Sequence, residues 1–314
     1  MLNYIIKRLT MMIPILFGIS FIAFLLINLA PSDPAEVALR LNEIMPTPDA
    51  IESMRQELGL NKPFFERYFI WLYDVLHLDF GRSFIHRDRL VWDEIIRSLI
   101  PTLVLAMSSF AFTLIISLIL GVLCAIFANS AFDHIVRIII FLGTAMPSYW
   151  LGLLFIWLFA NYLDLLPTNG YGTWQNLILP TLTLSFVYIS TYIRFIRNNM
   201  LENMHNYSVF YARCRGLKEK TIILKHVLVN SLHTTITALG MTIPQLIAGS
   251  FVVEYIFSWP GLGRLCIAAI MNRDYPVIQA YILIMAILFV VCNFIVDVIH
   301  QWLDPRLRDN GGAI

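Results

Sequence analysis

Six stretches of this chain are apolar for long enough to cross a bilayer: residues 9–29, 101–128, 135–163, 177–196, 231–253 and 277–301. They constrain the fold more than any other feature. A helix needs about 20 apolar residues to cross ~30 Å of hydrocarbon. With no water to satisfy the backbone there, only helices or closed barrels can span. Hydrophobic residues make up 58% of the chain and charged ones 14%, against roughly 45–50% and about 25% in soluble domains. The expected fold class is therefore an all-α polytopic membrane protein with six transmembrane helices. A secretory signal peptide is the competing reading of residues 9–29. Its apolar core would be about 7–15 residues long and end at a small-residue cleavage site. This stretch is longer and ends in Asn28-Leu-Ala-Pro31, which favours a retained helix. The net charge of +1 gives no bulk electrostatic basis for a nucleic-acid partner. Membrane lipid is the expected surrounding.

Between the first two stretches the material changes. Residues 30–99 hold twelve acidic and eight basic residues, several prolines and interspersed aromatics. Pro46-Thr-Pro48-Asp49 followed by Ala50 to Leu58 predicts a capped short helix stopped by Gly59. Phe64 to Leu78 predicts an aromatic amphipathic helix, and Asp79 to Phe84 a loop. The expected layout is a cytoplasmic N-terminus and first helix over 1–29, an extracytoplasmic helical domain over 30–99, a five-helix core over 100–303 and a cytoplasmic tail over 304–314. Cations set this orientation. Lys7, Arg8, Arg137, Arg194, Arg197, Arg306 and Arg308 fall on the expected inner side, against Arg264 and Arg273 outside. Pro101, Pro147, Pro180 and Pro244 are expected to kink their helices. The stretch 177–196 carries Thr181, Thr183, Ser185, Ser190 and Thr191. Such a helix packs against other helices or lines a polar path, and packing is the favoured reading.

The long polar interval between two late spans is residues 197–230. It holds Arg213, Arg215, Lys218, Lys220 and Lys225, with sparse acids at Glu202 and Glu219. Val209, Phe210, Tyr211 and Cys214 precede Gly216, and Ile222, Ile223, Val227 and Leu228 follow it at helical spacing. This predicts two short amphipathic helices joined at Gly216, where only glycine takes positive φ freely. Either a partner's groove or the lipid surface would suit such a pair.

Much chemistry is missing. The chain has no G-x-x-x-x-G-K-[ST], so it supplies no P-loop, and neither H-E-x-x-H nor G-x-S-x-G occurs. The seven histidines include no i, i+4 pair, and the four cysteines are scattered, so no metal site, cofactor or disulfide is expected. Met107, Met146, Met241 and Met285 are read as core filler. The spans lack deep ionisable residues, with Glu254, Asp297 and His300 near their ends, which argues against a proton-coupled carrier. A membrane enzyme would have to use Asp79, His86 and Asp88, and solvated loop charges are the better reading. A receptor or scaffold without transport is the remaining class.

The interval 207–230 resembles the "EAA" loop of membrane subunits of bacterial ABC importers. Ala212 and Gly216 match the second Ala and the Gly of that loop, and Leu228 a later Leu. Phe210, Tyr211, His226 and Val229 depart from it. The runs Ala212-Arg-Cys-Arg-Gly-Leu217 and His226-Val-Leu-Val-Asn-Ser-Leu232 are similar to the branch that imports nickel and peptides. So are Glu254-Tyr-Ile-Phe-Ser-Trp-Pro-Gly-Leu-Gly-Arg-Leu265, Arg273-Asp-Tyr-Pro-Val-Ile-Gln279, Asp79-Phe-Gly81, Pro147-Ser-Tyr-Trp150 and Leu303-Asp-Pro-Arg-Leu-Arg308. Gly170-Tyr-Gly-Thr-Trp-Gln175 looks most like the nickel-type permease. The resemblance implies a type I ABC importer permease with no ATPase site of its own. Its implied partners are a second homologous permease, two cytoplasmic ATPase subunits and an extracytoplasmic solute-binding protein. The implied coupling-loop residues are Ala212, Gly216, Leu228 and Asn230. An outer-mouth hairpin is expected at Glu254, Trp259, Pro260, Gly261 and Gly263, with turns at Trp259–Gly261 and at Gly263. The implied cargo is nickel, as a chelate, with di- or oligopeptide import as the alternative.

Overall fold

The computed structural model describes residues 2–29, 32–86 and 88–303. The expected tail at 304–314, with Arg306 and Arg308, lies outside the described residues. Fourteen α-helices follow one another, and no strand occurs among the described residues. Among the described residues, five helices are long and apolar enough to span a membrane, or six when one bent pair is counted as a span. The chain divides into two compact units, residues 1–102 with 260–314, and residues 103–259.

In the first unit, α1 (Leu2–Asn28) and α14 (Tyr275–Leu303) run antiparallel. Arg8 pairs with Asp297 at 3.0 Å at one end, and Arg273 donates to Ser32 near the other. Between them in sequence lie α2 (Pro34–Leu41), α3 (Pro48–Glu57) and α4 (Phe64–Leu76). The expected cap of α3 is present: Thr47 Oγ1 accepts from the Ala50 amide, and Gly59 ends the helix at φ 65°. The helix α2 was not foreseen. Asp33 caps it by accepting from the Ala35 amide, and Arg55 of α3 grips the same carboxylate at 2.7 and 3.0 Å. A core of Val75, Phe80, Val91, Ile95, Leu262, Ala269, Val277 and Leu283 joins the start of α5 (Val91–Ile126) to α13 (Leu262–Asn272) and α14.

In the second unit, α8 (Trp174–Met204) is the spine. Around it pack α6 (Ala131–Ala145), α7 (Ser148–Phe155), α11 (Leu228–Gly240) and α12 (Thr242–Ile256). Of the hydroxyl residues singled out in α8, Thr181, Thr183, Ser185 and Ser190 are buried and Thr191 is exposed. Thr183, Ser185 and Ser190 are buried and donate to carbonyls four residues back, at 2.8, 2.6 and 2.9 Å. Contact is close because small residues face α8. A Cβ on Gly121 would lie 2.8 Å from Ile196 Cβ, and one on Gly143 would lie 2.1 Å from Phe186 Cε1. Small residues at helix crossings let backbones approach in membranes, where dispersion replaces the hydrophobic drive.

Several expectations need correction. The stretch 135–163 is not one helix: α6 and the segment Ser148–Tyr162 meet at 115°. Pro147 pushes Met146 to an extended conformation (φ −93°, ψ 133°), which stops α6, and the chain restarts at Ser148. Its last part, Ile156–Tyr162, is wound as a wider π-helix. The stretch 231–253 carries the kink expected of Pro244: α11 and α12 meet at Met241 (φ −68°, ψ −10°), where the proline ring excludes the carbonyl of Gly240, and Ala238–Ile256 remains one apolar span. Pro101 and Pro180, by contrast, sit inside the unbroken α5 and α8. Gly263 is not a turn; it lies in the first turn of α13, capped by Gly261.

Candidate docking surface

The base of the 197–230 interval is anchored before the loop begins. Asp133 on α6 is fully buried. Arg197 of α8 holds it in a two-pronged pair, Nε–Oδ1 and Nη2–Oδ2 both 2.8 Å. The Asn129 amide donates to Oδ2 at 2.9 Å, and Arg137 stands 3.7 Å away. Planar fork-to-carboxylate pairing fixes direction as well as distance. The end of α8 is thereby clamped to the start of α6. Nothing in the local sequence marks Arg197 as a partner of Asp133, 64 positions away.

Beyond this clamp the chain forms α9 (Tyr207–Cys214), then α10 (Glu219–Thr221), which continues through a π-helical stretch, Ile222–Val227, into α11. The joint at Gly216 is as expected. Its φ is 75°, its amide donates to Arg213 O at 2.9 Å, and the Leu217 amide donates to Ala212 O at 3.2 Å. Those two bonds are the Schellman arrangement, which satisfies the last carbonyls of α9 and turns the chain.

The pair is amphipathic, and the structure shows which of its apolar side chains face inward. Val209, Ala212, Ile222 and Val227 are buried against Ala125, Ile196 and Met200, with Leu228 partly buried beside them. Phe210 and Tyr211 point the other way and are 62% and 67% exposed, and Tyr207 is 82% exposed. Around them stand exposed Arg215, Lys218, Lys220 and Lys225, while Arg213 pairs with Glu219 at 2.8 Å. That acceptor raises the Arg213 pKa further above its ordinary value. Of the expected coupling residues, Ala212 lies in the core below the loop, Gly216 makes the joint, Leu228 seats the following helix and Asn230 is exposed. Of the four positions that depart from the EAA pattern, Phe210, Tyr211 and Val229 are exposed and His226 is half-buried. The outward aromatic side chains and Arg215 are residue types enriched at protein interfaces, and the lysines beside them suit a polar rim.

At the segment expected to form an outer hairpin, Glu254 is fully buried and accepts from Ser250 Oγ at 2.9 Å. After α12 the chain turns at Ser258 (φ 52°), and the Trp259 amide returns to Glu254 O at 2.8 Å. Trp259 is buried, edge-on to Tyr171 at 4.8 Å between ring centres, and the Gly170 amide donates to Phe257 O at 3.2 Å. Two stretches singled out separately in the sequence are thus in contact. In the first unit, Asp274 is buried. It accepts from Ser83 Oγ at 2.5 Å and from the Phe84 and Ile85 amides at 3.1 and 3.4 Å. The Asp274 carboxylate therefore organises the loop after α4. Asp79, His86 and Asp88 are exposed.

Comparison with known proteins agrees with this architecture. Residues 117–309 match the family described as "Binding-protein-dependent transport system inner membrane component". Residues 1–106 match the model for the N-terminal part of such membrane components. The chain belongs to this family. The metal-staphylopine import system permease protein CntB of Staphylococcus aureus (strain NCTC 8325 / PS 47) is 37% identical over 310 residues, covering 98% of this chain and 99% of the relative. The glutathione transport system permease protein GsiC of Escherichia coli (strain K12) is also 37% identical over 310 residues, with the same coverage. Among solved structures, the inward-facing MetNI methionine ABC transporter in its CY5 native crystal form aligns with TM-score 0.58 at 20% identity. It covers 67% of this chain and 96% of that one, and the likeness shows the type I permease fold. The chain is therefore a permease subunit of an ABC importer and a multi-pass membrane protein.

Proposed function

We propose that this permease carries nickel, as a chelate, across the cytoplasmic membrane, driven by two ATPase subunits that dock on residues 207–230. The observation that carries the docking part is the exposed Tyr207, Phe210 and Tyr211 patch, held on a buried apolar base. A second permease and an extracytoplasmic solute-binding protein complete the assembly, and both chain termini face the cytoplasm. Support for a chelate comes from the relative that imports metal–staphylopine. In this reading the metal travels as cargo inside its chelator. A second reading, import of small peptides, is favoured by the equally similar glutathione permease. In this reading the region around Glu254, Trp259, Pro260, Gly261 and Gly263 closes the outer mouth. ATP binding must favour the outward-open state for this coupling to work.

The test is uptake of radioactive nickel, with and without a chelator, by cells lacking the chain and cells with it restored. Nickel uptake that depends on the chain and resists excess di- and oligopeptide supports the chelate. Chain-dependent peptide uptake without nickel uptake moves the cargo to peptides.

A further inference from the structure

The sequence places α4 in a domain outside the membrane, but its contacts do not fit a helix standing clear of the bilayer. Tyr68 of α4 is 1% exposed and sits against α1. Its ring meets Phe17, Phe21 and Phe24 edge-on, with ring centres 5.8, 5.2 and 5.5 Å away, and its hydroxyl lies 2.9 Å from Ser20 Oγ. Those residues belong to the apolar span Ile5–Asn28. At 1.5 Å per residue, Ser20 lies about 12 Å along the helix from Asn28, well within one half of a ~30 Å hydrocarbon layer. A side chain on a helix reaches only about 6 Å from the helix axis. The body of α4 must therefore lie beside the last turns of the span.

The outward side of α4 suits that depth. Phe65, Phe69, Tyr73 and Leu76 form one stripe at i, i+4, i+8 and i+11, with exposures of 64%, 58%, 64% and 74%. Arg67 and Asp74 occupy the opposite flank of the helix, while Glu66, beside the stripe at the N-terminal end, pairs with Lys62 at 3.1 Å. A helix with an aromatic apolar side, a charged side and modest length lies in the plane of the bilayer interface. On α1 itself, Ile22, Leu26 and Leu29 are similarly bare, at 54%, 58% and 70%, so the stripe continues the lipid-facing surface of the span. In water four such side chains would form an unfavourable patch.

We infer that α4 is embedded in the leaflet at the C-terminal end of α1, with Phe65, Phe69, Tyr73 and Leu76 against phospholipid acyl chains. The extracytoplasmic part of residues 30–99 then reduces to α2, α3 and the loops.

The test places a nitroxide at Phe69→Cys or Tyr73→Cys on the stripe, or at Gln56→Cys on exposed α3, in the full chain, reconstituted into nanodiscs of phosphatidylethanolamine and phosphatidylglycerol. The parent chain, labelled in the same way, sets the background of its own four cysteines. Collisions with molecular oxygen, which partitions into lipid, are compared with those of a water-soluble nickel chelate. Oxygen access should exceed chelate access several-fold at 69 and 73, with the order reversed at 56. Chelate access at 69 and 73 equal to that at 56 overturns the inference. Shielding of 69 and 73 from both reagents also overturns it, because protein rather than lipid would then cover the stripe. Two stripe positions guard against one variant that fails to fold.

Discussion

Replacing Asp133 by Ala should destabilise this protein more than any other single change near the 207–230 loop. Asp133 is fully buried, and the Arg197 side chain is only 13% exposed. Asp133→Ala removes both 2.8 Å contacts to Arg197 and the acceptor of the Asn129 amide. Removing one partner of a buried pair costs about 3–5 kcal/mol, because the remaining charge stays buried without compensation. The reverse change, Arg197→Ala, leaves Asp133 with the Asn129 amide and Arg137 at 3.7 Å, so it should cost less. Arg137 can swing inward to take over part of the role. The double variant Asp133→Leu/Arg197→Met removes both charges and should recover most of the loss, since apolar replacement of a whole buried pair is often neutral. Unfolding of the purified chain in mixed micelles by increasing SDS measures the three costs. The reasoning predicts a coupling of about 2 kcal/mol or more between the sites, within the range for residues in one ion-pair network. Costs that simply add, with the double variant worse than either single one, would refute it.

Three further outcomes follow from local geometry. Gly121→Ala should cost about 1–3 kcal/mol in the same micelle assay by forcing α5 from α8, the usual price of overpacking, whereas Gly172→Ala, with open space around it, should act only through its backbone. Gly216→Asn should keep the loop intact and Gly216→Val should loosen it. No atom crowds a Cβ there, so the penalty is the left-handed backbone, roughly 1–2 kcal/mol for an ordinary L-residue, read as a 5–30-fold rise in tryptic cleavage after Arg213 or Arg215. Asp274→Ala should deprotect the Phe84 and Ile85 amides by about tenfold or more in hydrogen exchange, because hydrogen bonds to a charged group contribute about 1.5–3 kcal/mol; unchanged exchange would show that the loop holds itself.

Local signals made much of this structure legible. Apolar length located the spans, Thr47 and Gly59 bounded α3, and Gly216 marked the joint. What escaped depended on residues far apart in sequence. The clamp between Asp133 and Arg197 joins two helices through one ion pair, and neither residue differs from an ordinary surface charge when read alone. Asp274 binds a loop 190 positions upstream. The 115° break needed Pro147 to win over an apolar run that otherwise favours one long helix. In the docking loop, helical spacing identified an amphipathic pair but could not say which apolar side chains faced in. The small Ala212 is buried and the large Phe210 and Tyr211 are bare, because the surface beneath, made by Ala125, Ile196 and Met200, accepts a close backbone approach. Apolar character alone does not decide direction when a partner's surface is also available.

The central claim is that Phe210 and Tyr211 are bare because an ATPase subunit covers them in the assembled importer. The direct measurement is recovery of the ATPase with an affinity-tagged chain from detergent-solubilised membranes, comparing the parent with Phe210→Asp/Tyr211→Asp. Both side chains point away from the core, so the variant should reach the membrane at parental abundance. The account predicts at least a tenfold loss of ATPase recovery together with loss of ATP-driven uptake. Full recovery and full uptake with both aromatics replaced would contradict it.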